Sequence, residues 1–179
     1  MSKLGKKPIL IPKDTTVKIE SGKLILTGPK GSKEMNISDK IFTTSISEDK
    51  NIILKLIKKN EETNVLWGTT RSILNSALVG VSAGHEKILE LTGVGFRATL
   101  KGNILSLQLG FSHDTSYEIP KGIKITVEKQ TTIKVSGIEK DLVGKVASEI
   151  KALKPVEPYK AKGIKEKGQY VLRKEGKKK

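Results

Sequence analysis

The chain has 179 residues, and its 34 Lys and Arg against 19 Asp and Glu give a formal net charge of +15 at pH 7. It contains no cysteine, which excludes disulfides, thiolate metal sites and a cysteine nucleophile. No apolar run approaches the roughly 20 residues that span a bilayer, so we expect a soluble intracellular protein with a polyanionic partner and no membrane contact.

The first half of the chain has an alternating, strand-like pattern that is followed by one helical stripe. A tight turn is predicted at Ser21-Gly22 and a break at Gly28-Pro29-Lys30-Gly31. Strands are predicted at 17–20, 23–27, 41–47 and 52–57. The helical stripe, which Gly80 and Gly84 are expected to loosen and end, consists of Leu66, Thr70, Ile73, Leu74, Ala77, Leu78 and Val81.

The second half repeats this order of strands first and helix last. Strands are predicted at 88–92, 98–101, 103–109, 123–128 and 131–136. The helical stripe, which Pro155 ends, consists of Val143, Val146, Ala147, Ile150 and Leu153. Gly22-Lys23-Leu24-Ile25 matches Gly102-Asn103-Ile104-Leu105, and Asn36-Ile37-Ser38 matches Glu118-Ile119-Pro120. These matches indicate an internal duplication.

The sequence therefore predicts an α+β fold of two similar small domains, each a mostly antiparallel sheet packed with one helix. The predicted domains are 1–83 and 84–179, and the second ends in a basic extension, 154–179. The last 20 residues, rich in Lys and Gly, are expected to be partly mobile without a partner. A chain ending at Leu153 is expected to keep both folded modules.

Most of the excess charge lies at the two ends of the chain. Residues 1–13 contribute +4 and residues 154–179 contribute +7, whereas the long middle part contributes only +4. Basic arms on a balanced body are typical of nucleic-acid binding, although a solubilising excess or a membrane-surface patch has the same charge. Because 31 of the 34 basic residues are Lys and aromatic residues are scarce, structured RNA held by its phosphates is favoured over single strands.

Catalytic and cofactor chemistry has little support in the sequence. Gly93–Ala98 matches a dinucleotide-binding glycine pattern, but a strand is predicted after it where that site needs a helix. A bulge or close backbone approach is the preferred interpretation, and a nucleotide-handling enzyme is the alternative. His85 and His113 are the only histidines, so we expect no catalytic residue, metal site, cofactor or small-molecule substrate.

The segment 154–165 carries the clearest binding pattern. Two prolines extend the chain after the second helix, and Tyr159 offers a ring for stacking or phosphate contact. Lys160 and Lys162 would share one face of an extended segment, and Gly163 would let the backbone approach a ligand closely. RNA contact is the prediction, and a stiff solvated tail is the alternative.

Pro155–Ile164 also resembles the pattern Pro-Pro-Glu-Pro-Tyr-Lys-Gly-Lys-Gly-Ile of the bacterial large-subunit ribosomal protein six family. The chain departs from that pattern at Val156 and at Ala161, and a side chain at the latter position disfavours a positive φ. Other segments resemble family landmarks in the same order, so the resemblance covers nearly the whole chain. These segments are Ser2–Ile9, Gly28–Gly31, Gly68–Ser72 with Gly80-Val81, Gly93–Ala98 and Leu109–His113.

The resemblance implies two similar α/β domains that bind large-subunit (23S-type) ribosomal RNA near the stalk base and the sarcin–ricin region. It implies a cytoplasmic location in the ribosome, with neighbouring large-subunit proteins as further partners. It also implies that the second domain and its extension are the main RNA-binding part. The positions that match the family's pattern are Pro155, Glu157, Pro158, Tyr159, Lys160, Lys162, Gly163 and Ile164.

Charge and position add a second set of candidate RNA-binding residues. This set consists of Lys154, Lys165, Lys167, Arg173, Lys174, Lys3, Lys6 and Lys7. The expected function is a non-enzymatic structural component of the large subunit, which binds RNA as its lysines neutralise phosphates and release counterions. The alternative is a free RNA-binding module or RNA chaperone outside the ribosome.

Overall fold

The computed structural model describes residues 3–20, 22–47 and 50–176. Ser21 of the predicted turn and residues 177–179 of the predicted extension lie outside the described residues. The chain divides into two compact units, with the division after Gly84. Within the described ranges, no helix combines the length and the apolar character needed to cross a membrane.

The amino-terminal unit combines two antiparallel sheets with one helix. Its elements are β1 Ile9–Leu10, β2 Thr16–Glu20, β3 Lys23–Gly28, β4 Gly31–Asn36, β5 Phe42–Ile46, β6 Asn51–Leu56 and α1 Glu61–Ser82. The strand orders are β1-β6-β5 and β2-β3-β4. The helix packs on β3, β4 and β6, and the core includes the fully buried Leu26, Ile52 and Leu74.

Both ends of α1 follow from local chemistry. The backbone N–H of Asn60 donates to Thr63 Oγ1 at 2.8 Å, and Glu61 and Glu62 in the first turn complement the helix dipole. The helix ends where the Gly84 N–H donates to the Val79 carbonyl at 3.0 Å. Gly84 has a φ of +83°, which a glycine adopts without strain.

The buried face of α1 differs from the predicted stripe. Leu66 and Ile73 are 45% and 47% exposed, while Trp67 and Gly80 are buried. Gly80 lies inside the helix, so the helix continues past it and ends before Gly84. Trp67 is drawn inward because its Nε1–H donates to the Leu54 carbonyl at 2.9 Å, which satisfies its polar atom inside the unit.

The carboxyl-terminal unit repeats this architecture and adds one strand. Its elements are β7 His85–Thr92, β8 Arg97–Lys101, β9 Ile104–Gln108, β10 Thr115–Glu118, β11 Ile123–Glu128, β12 Thr132–Gly137, α2 Lys140–Leu153 and β13 Gly163–Glu166. The antiparallel sheets have the orders β10-β9-β8 and β11-β12-β7-β13. Leu89, Leu105, Ile133, Ile150 and Ile164 have no exposed surface and form the centre of the core.

The two units match each other element by element. The order β1-β6-β5 corresponds to β7-β12-β11, and β2-β3-β4 corresponds to β8-β9-β10. In each unit, the residue after the last strand of this three-stranded sheet bonds to the turn between its first two strands. The Ile37 N–H donates to the Gly22 carbonyl at 2.8 Å, and the Ile119 N–H donates to the Asn103 carbonyl at 3.0 Å. The predicted α+β fold of two similar domains is confirmed. Among the described elements only β13 has no counterpart.

The Gly93–Ala98 segment joins β7 to β8, ends within β8 and opens no helix. It therefore lacks the helix N-terminus on which a dinucleotide site depends. A Cβ on Gly93 would lie 2.9 Å from the ring of Phe96. The close backbone approach predicted for this loop is therefore the approach of Gly93 to the ring of Phe96.

The extension after α2 folds back onto the unit that it follows. Strand β13 pairs antiparallel with β7, with Ile164 opposite Leu91 and Lys165 opposite Glu90. Since Ile164 is fully buried, a chain ending at Leu153 would lose a core residue and an edge strand. The predicted boundary of the second module at Leu153 is therefore too early, because residues 163–166 are part of the sheet.

Candidate nucleic-acid interface

A tight turn, not an extended run, follows the two prolines of the extension. The Glu157 N–H donates to the Lys162 carbonyl at 2.8 Å, and the Ala161 N–H donates to the Glu157 carbonyl at 3.0 Å. The chain therefore reverses through Tyr159 and Lys160. The prediction that Lys160 and Lys162 share one face of an extended segment is wrong, because these two hydrogen bonds close the turn.

Two residues with positive φ shape this turn. Ala161 has a φ of +54° and is buried, so the left-handed conformation is kept even with a Cβ at this position. Gly163 has a φ of +143°, and a Cβ there would lie 2.7 Å from both the Pro155 carbonyl oxygen and the Val156 Cα. The predicted close backbone approach at Gly163 is therefore made to the chain itself, where a ligand was expected.

Ion pairs fasten β13 to its surroundings. The Glu166 carboxylate lies 2.6 Å from Lys87 Nζ and 3.2 Å from Lys151 Nζ. The hydrogen bonds from Lys87 and then Lys151 hold the pKa of Glu166 below its ordinary value. Lys165 pairs with Glu90 at 3.3 Å. Of the predicted RNA-binding lysines, Lys165 thus has an intramolecular acid as its partner.

The end of the tail returns to the turn. The Lys174 N–H donates to the Pro158 carbonyl at 3.0 Å, which places the Arg173-Lys174 backbone beside the turn. Tyr159 is 54% exposed, and Lys160, Arg173 and Lys174 are exposed as well. We call this group the turn–tail surface, and with the half-buried Lys154 and Lys162 it consists of Lys154, Tyr159, Lys160, Lys162, Arg173 and Lys174.

An open cleft of about 560 Å³ lies beside the turn–tail surface. Its apolar side includes Phe96, Leu109 and Phe111, and its polar side carries Lys154, Glu157 and Lys162. The Lys154 ammonium lies 4.3 Å from the centre of the Phe111 ring, a cation–π contact. Sequence reasoning missed Phe111 as a site residue, and the available signal was an aromatic next to Gly110 in a loop that resembles a family landmark.

The remaining predicted residues of the extension have different positions. Ile164 is fully buried and Gly163 is buried, so they hold the turn in place and have no surface to offer a ligand. Pro155 is exposed and Pro158 is half-buried, and both line a groove with Tyr170 and Leu172 of the tail. Lys167 is exposed after β13, and its N–H donates to the Ile88 carbonyl at 2.9 Å.

The predicted lysines of the amino end lie in the other unit. Lys3, Lys6 and Lys7 are all exposed. Gly5 between them is buried against Trp67, where a Cβ would lie 2.5 Å from the indole ring. Arg71 of α1 donates to the Lys7 carbonyl at 3.4 Å and to the Pro8 carbonyl at 3.3 Å. These lysines form a basic group of the first unit, on a segment that is held to α1 by these contacts.

The chemistry of the turn–tail surface suits a polyanion. Ammonium and guanidinium groups neutralise phosphates, exposed Tyr159 offers an aromatic face to bases, and Phe111 adds a second ring from the neighbouring cleft. Within the described residues no group of three or more His, Cys, Asp or Glu could hold a metal ion. The surface therefore has the composition of a phosphate-binding and base-stacking site.

Comparisons with known proteins give the family. The model of the family described as Ribosomal protein L6 matches residues 92–167, which include the turn and β13. The protein named Large ribosomal subunit protein uL6 of Beijerinckia indica subsp. indica is 44% identical over 179 residues, all of both chains. Its namesake in Novosphingobium aromaticivorans is 42% identical over the same span, and that of Staphylococcus epidermidis is 44% identical over 177 residues, 99% of this chain and 98% of its own. The chain belongs to the ribosomal protein L6 family.

Proposed function

We propose that this chain is a structural constituent of the large ribosomal subunit, located in the cytoplasm, that binds large-subunit (23S-type) ribosomal RNA near the stalk base and the factor-binding region. It acts without catalysis and contacts neighbouring large-subunit proteins. The turn–tail surface binds RNA phosphates, and the folded unit behind it sets the register of those contacts. Membership of the ribosomal protein L6 family supports the assignment to the large subunit.

One observation carries the RNA-binding part of the proposal. The Lys174–Pro158 hydrogen bond and the 157–162 turn collect side chains that lie far apart in sequence onto one side of the unit. The exposed cations there have no ion-pair partner among the described residues, as Lys160, Arg173 and Lys174 show. Cations that form no ion pair within their own unit are available to neutralise phosphates.

Sedimentation tests the assignment to the ribosome. The tagged full-length protein is expressed in a bacterial host, and the lysate is separated on a sucrose gradient at low magnesium concentration, where the subunits are apart. We expect the protein to sediment with large subunits and to stay there after a moderate salt wash. Recovery only at the top of the gradient would favour the free RNA-binding module or chaperone.

Footprinting tests the position on the RNA. Hydroxyl radicals cleave accessible RNA backbone, so bound protein protects the sugars next to its phosphate contacts. We expect the full-length protein to protect backbone of large-subunit ribosomal RNA at the stalk base and the sarcin–ricin region. Protection confined to other regions would contradict the proposed position and leave RNA binding itself standing.

A further inference from the structure

The carboxylate of Glu157 has an unusual position for a surface that binds phosphates. It is exposed, it lines the same cleft as Lys154 and Lys162, and it makes no hydrogen bond or ion pair with any described residue. Next to RNA, an unpartnered carboxylate repels phosphates and weakens binding. A hydrogen-bond donor of the RNA that met the Glu157 carboxylate would offset this repulsion.

The position of Glu157 is fixed by its backbone. Its N–H donates to the Lys162 carbonyl at 2.8 Å and its carbonyl accepts from the Ala161 N–H at 3.0 Å. Ala161 keeps its left-handed φ of +54° in the same turn. The side chain of Glu157 is therefore attached to a backbone whose conformation is already fixed, so the backbone loses little conformational entropy when a ligand binds.

The cleft presents three kinds of chemistry within one space. Phe96, Leu109 and Phe111 supply apolar and aromatic surface, Lys154 and Lys162 supply positive charge, and Glu157 supplies acceptors. Its volume of about 560 Å³ lies within the range of roughly 300–1,000 Å³ that is usual for small-ligand sites. A single unpaired nucleotide has the matching parts: a flat apolar base face, a phosphate and a polar base edge.

The acceptor chemistry of Glu157 selects among the bases. An ionised carboxylate has two oxygens that only accept hydrogen bonds. Guanine is the one RNA base with two adjacent donors on a single edge, N1–H and N2–H, whereas adenine, cytosine and uracil each place an acceptor beside the donor of that edge. A carboxylate therefore pairs with guanine through two parallel hydrogen bonds and with the other bases through one.

We propose that this cleft binds one unpaired guanine of large-subunit ribosomal RNA, with Glu157 accepting hydrogen bonds from N1–H and N2–H of the base. The base takes the place of the Lys154 ammonium on the Phe111 ring, and Lys154 and Lys162 contact the flanking phosphates. The proposal rests on the proposed function, since it names what one part of the RNA interface recognises. It makes Glu157 a specificity-determining residue within a surface that otherwise binds phosphates.

Kethoxal modification tests this directly, because kethoxal reacts with N1 and N2 of unpaired guanine. Refolded, protein-free large-subunit ribosomal RNA is probed with kethoxal and, in parallel, with hydroxyl radicals, with and without the full-length protein. We expect at least one guanine to be protected by the original protein and to become reactive again with Glu157→Gln. The hydroxyl-radical footprint of the backbone should persist, and affinity should fall roughly ten-fold.

Glu175→Gln is the matched control, since it removes the same charge from an exposed carboxylate of the tail. It should leave the guanine protected and leave affinity unchanged or slightly higher. Both variants change exposed side chains, so thermal unfolding should match that of the original protein and show that lost protection is not lost folding.

Results against the inference separate failure of guanine recognition from failure of RNA binding as a whole. If Glu157→Gln binds more tightly and every guanine stays protected, the carboxylate only repels phosphates and the inference is overturned. The same holds if the protein protects backbone but no guanine in a Glu157-dependent way. If the original protein leaves no footprint at all, the proposed function fails together with the inference.

Discussion

The chain has two basic terminal segments, and the structure fastens them in different ways. Residues 3–8 are held by the packing of Gly5 against Trp67 and by two long hydrogen bonds from Arg71. Each segment also adds a strand to a sheet and a buried isoleucine to a core, β1 with Ile9 in the first unit and β13 with Ile164 in the second. The segments differ in where their cations lie: Lys3, Lys6 and Lys7 precede β1, whereas the turn–tail cations lie on both sides of β13, on a turn and a tail that are hydrogen-bonded to each other.

This difference determines how each segment can bind. A cation on a flexible arm loses conformational freedom when it meets a phosphate, whereas a cation on a fixed turn has lost that freedom during folding. Lys160 and Tyr159 lie on such a turn, which is closed by two hydrogen bonds and contacted by the tail at Pro158. The fixed segment can therefore set the register on folded RNA, while the amino-terminal lysines can add charge.

The largest expected effect on stability comes from Gly163→Ala. This change strains the backbone at the start of β13, the strand that only the second unit has. The new Cβ would meet the Pro155 carbonyl and the Val156 Cα at 2.7 Å, in a backbone conformation that is strained for alanine. Unfolding free energy should fall by roughly 3 kcal/mol. Urea unfolding of the full chain, followed by circular dichroism, measures it.

Gly168→Ala is the control for this change. Gly168 has a φ of +81° with nothing within 4 Å of a new Cβ, so only the left-handed strain of about 1 kcal/mol remains. Equal urea midpoints for the two variants would show that the close approach at Gly163 does not hold the extension in place.

The corresponding change in the first unit is Gly5→Ala. A Cβ would lie 2.5 Å from the Trp67 ring, which is held by its hydrogen bond to Leu54. We expect a loss of about 2 kcal/mol because the ring must move. Fluorescence of Trp67, the one tryptophan of the chain, reports this unit during urea unfolding. An unchanged emission spectrum and midpoint would contradict the packing of the amino end on α1.

The ion pairs of β13 should make the second unit sensitive to acid. Because Lys87 and Lys151 lower the pKa of Glu166, the stabilisation is present at neutral pH and is lost as the pH falls through the lowered value. At pH 7, Glu166→Gln should cost less than about 1 kcal/mol, since the carboxylate is one-third exposed. The difference from the original protein should shrink below pH 4.5.

Unfolding at a series of pH values measures that difference. Glu175→Gln, which removes an exposed carboxylate without an ion pair among the described residues, should show no such trend. A cost for Glu166→Gln that stays constant down to pH 3 would mean that the Lys87 and Lys151 contacts do not depend on the carboxylate charge.

The smallest effect concerns Ala161, whose φ of +54° strains a residue with a Cβ. Ala161→Gly relieves that strain but makes the unfolded chain more flexible, so a net gain of about 0.5 kcal/mol is expected. Ala152→Gly, the same replacement at an exposed helical position, should instead lose about 0.5–1 kcal/mol. Calorimetry of both variants measures the signs, and a loss in both would contradict the strain at Ala161.

The sequence predicted the two repeated modules because their central strands and helices carry several apolar residues each. Leu24 and Leu26 in β3, and Leu105 and Leu107 in β9, mark buried strands by simple alternation. Strands β4 and β10 were missed because they are mostly polar edge strands, with at most one large apolar or aromatic residue each. Such strands form because a neighbouring strand hydrogen-bonds to them, and their own sequences lack the apolar alternation that would predict them.

The sequence predicted which residues belong to the site but not how those residues are arranged in space. Charge alone pointed to Lys160, Arg173 and Lys174, but nothing local shows that the Lys174 N–H bonds to Pro158. Strand β13 has a single buried large apolar residue, Ile164, which is too little for a periodic pattern. Hydrogen bonds and packing between distant segments decided both features.

If the turn–tail surface binds RNA phosphates, the affinity of the protein for RNA must depend steeply on salt concentration. If roughly six cations engage, log affinity for large-subunit ribosomal RNA should fall with log salt at a slope near −4 to −5. The triple variant Lys160→Gln, Arg173→Gln, Lys174→Gln removes three of these cations and should reduce the steepness of that slope by about 2 to 2.5.

The matched triple variant is Lys121→Gln, Lys124→Gln, Lys129→Gln. These exposed lysines lie on and beside β11, which β12 and β7 separate from β13 by about 14 Å of sheet. Their loss should leave the slope unchanged. Equal reductions in the two triple variants, or a slope near zero for the original protein, would show that the turn–tail surface is not where the phosphates bind.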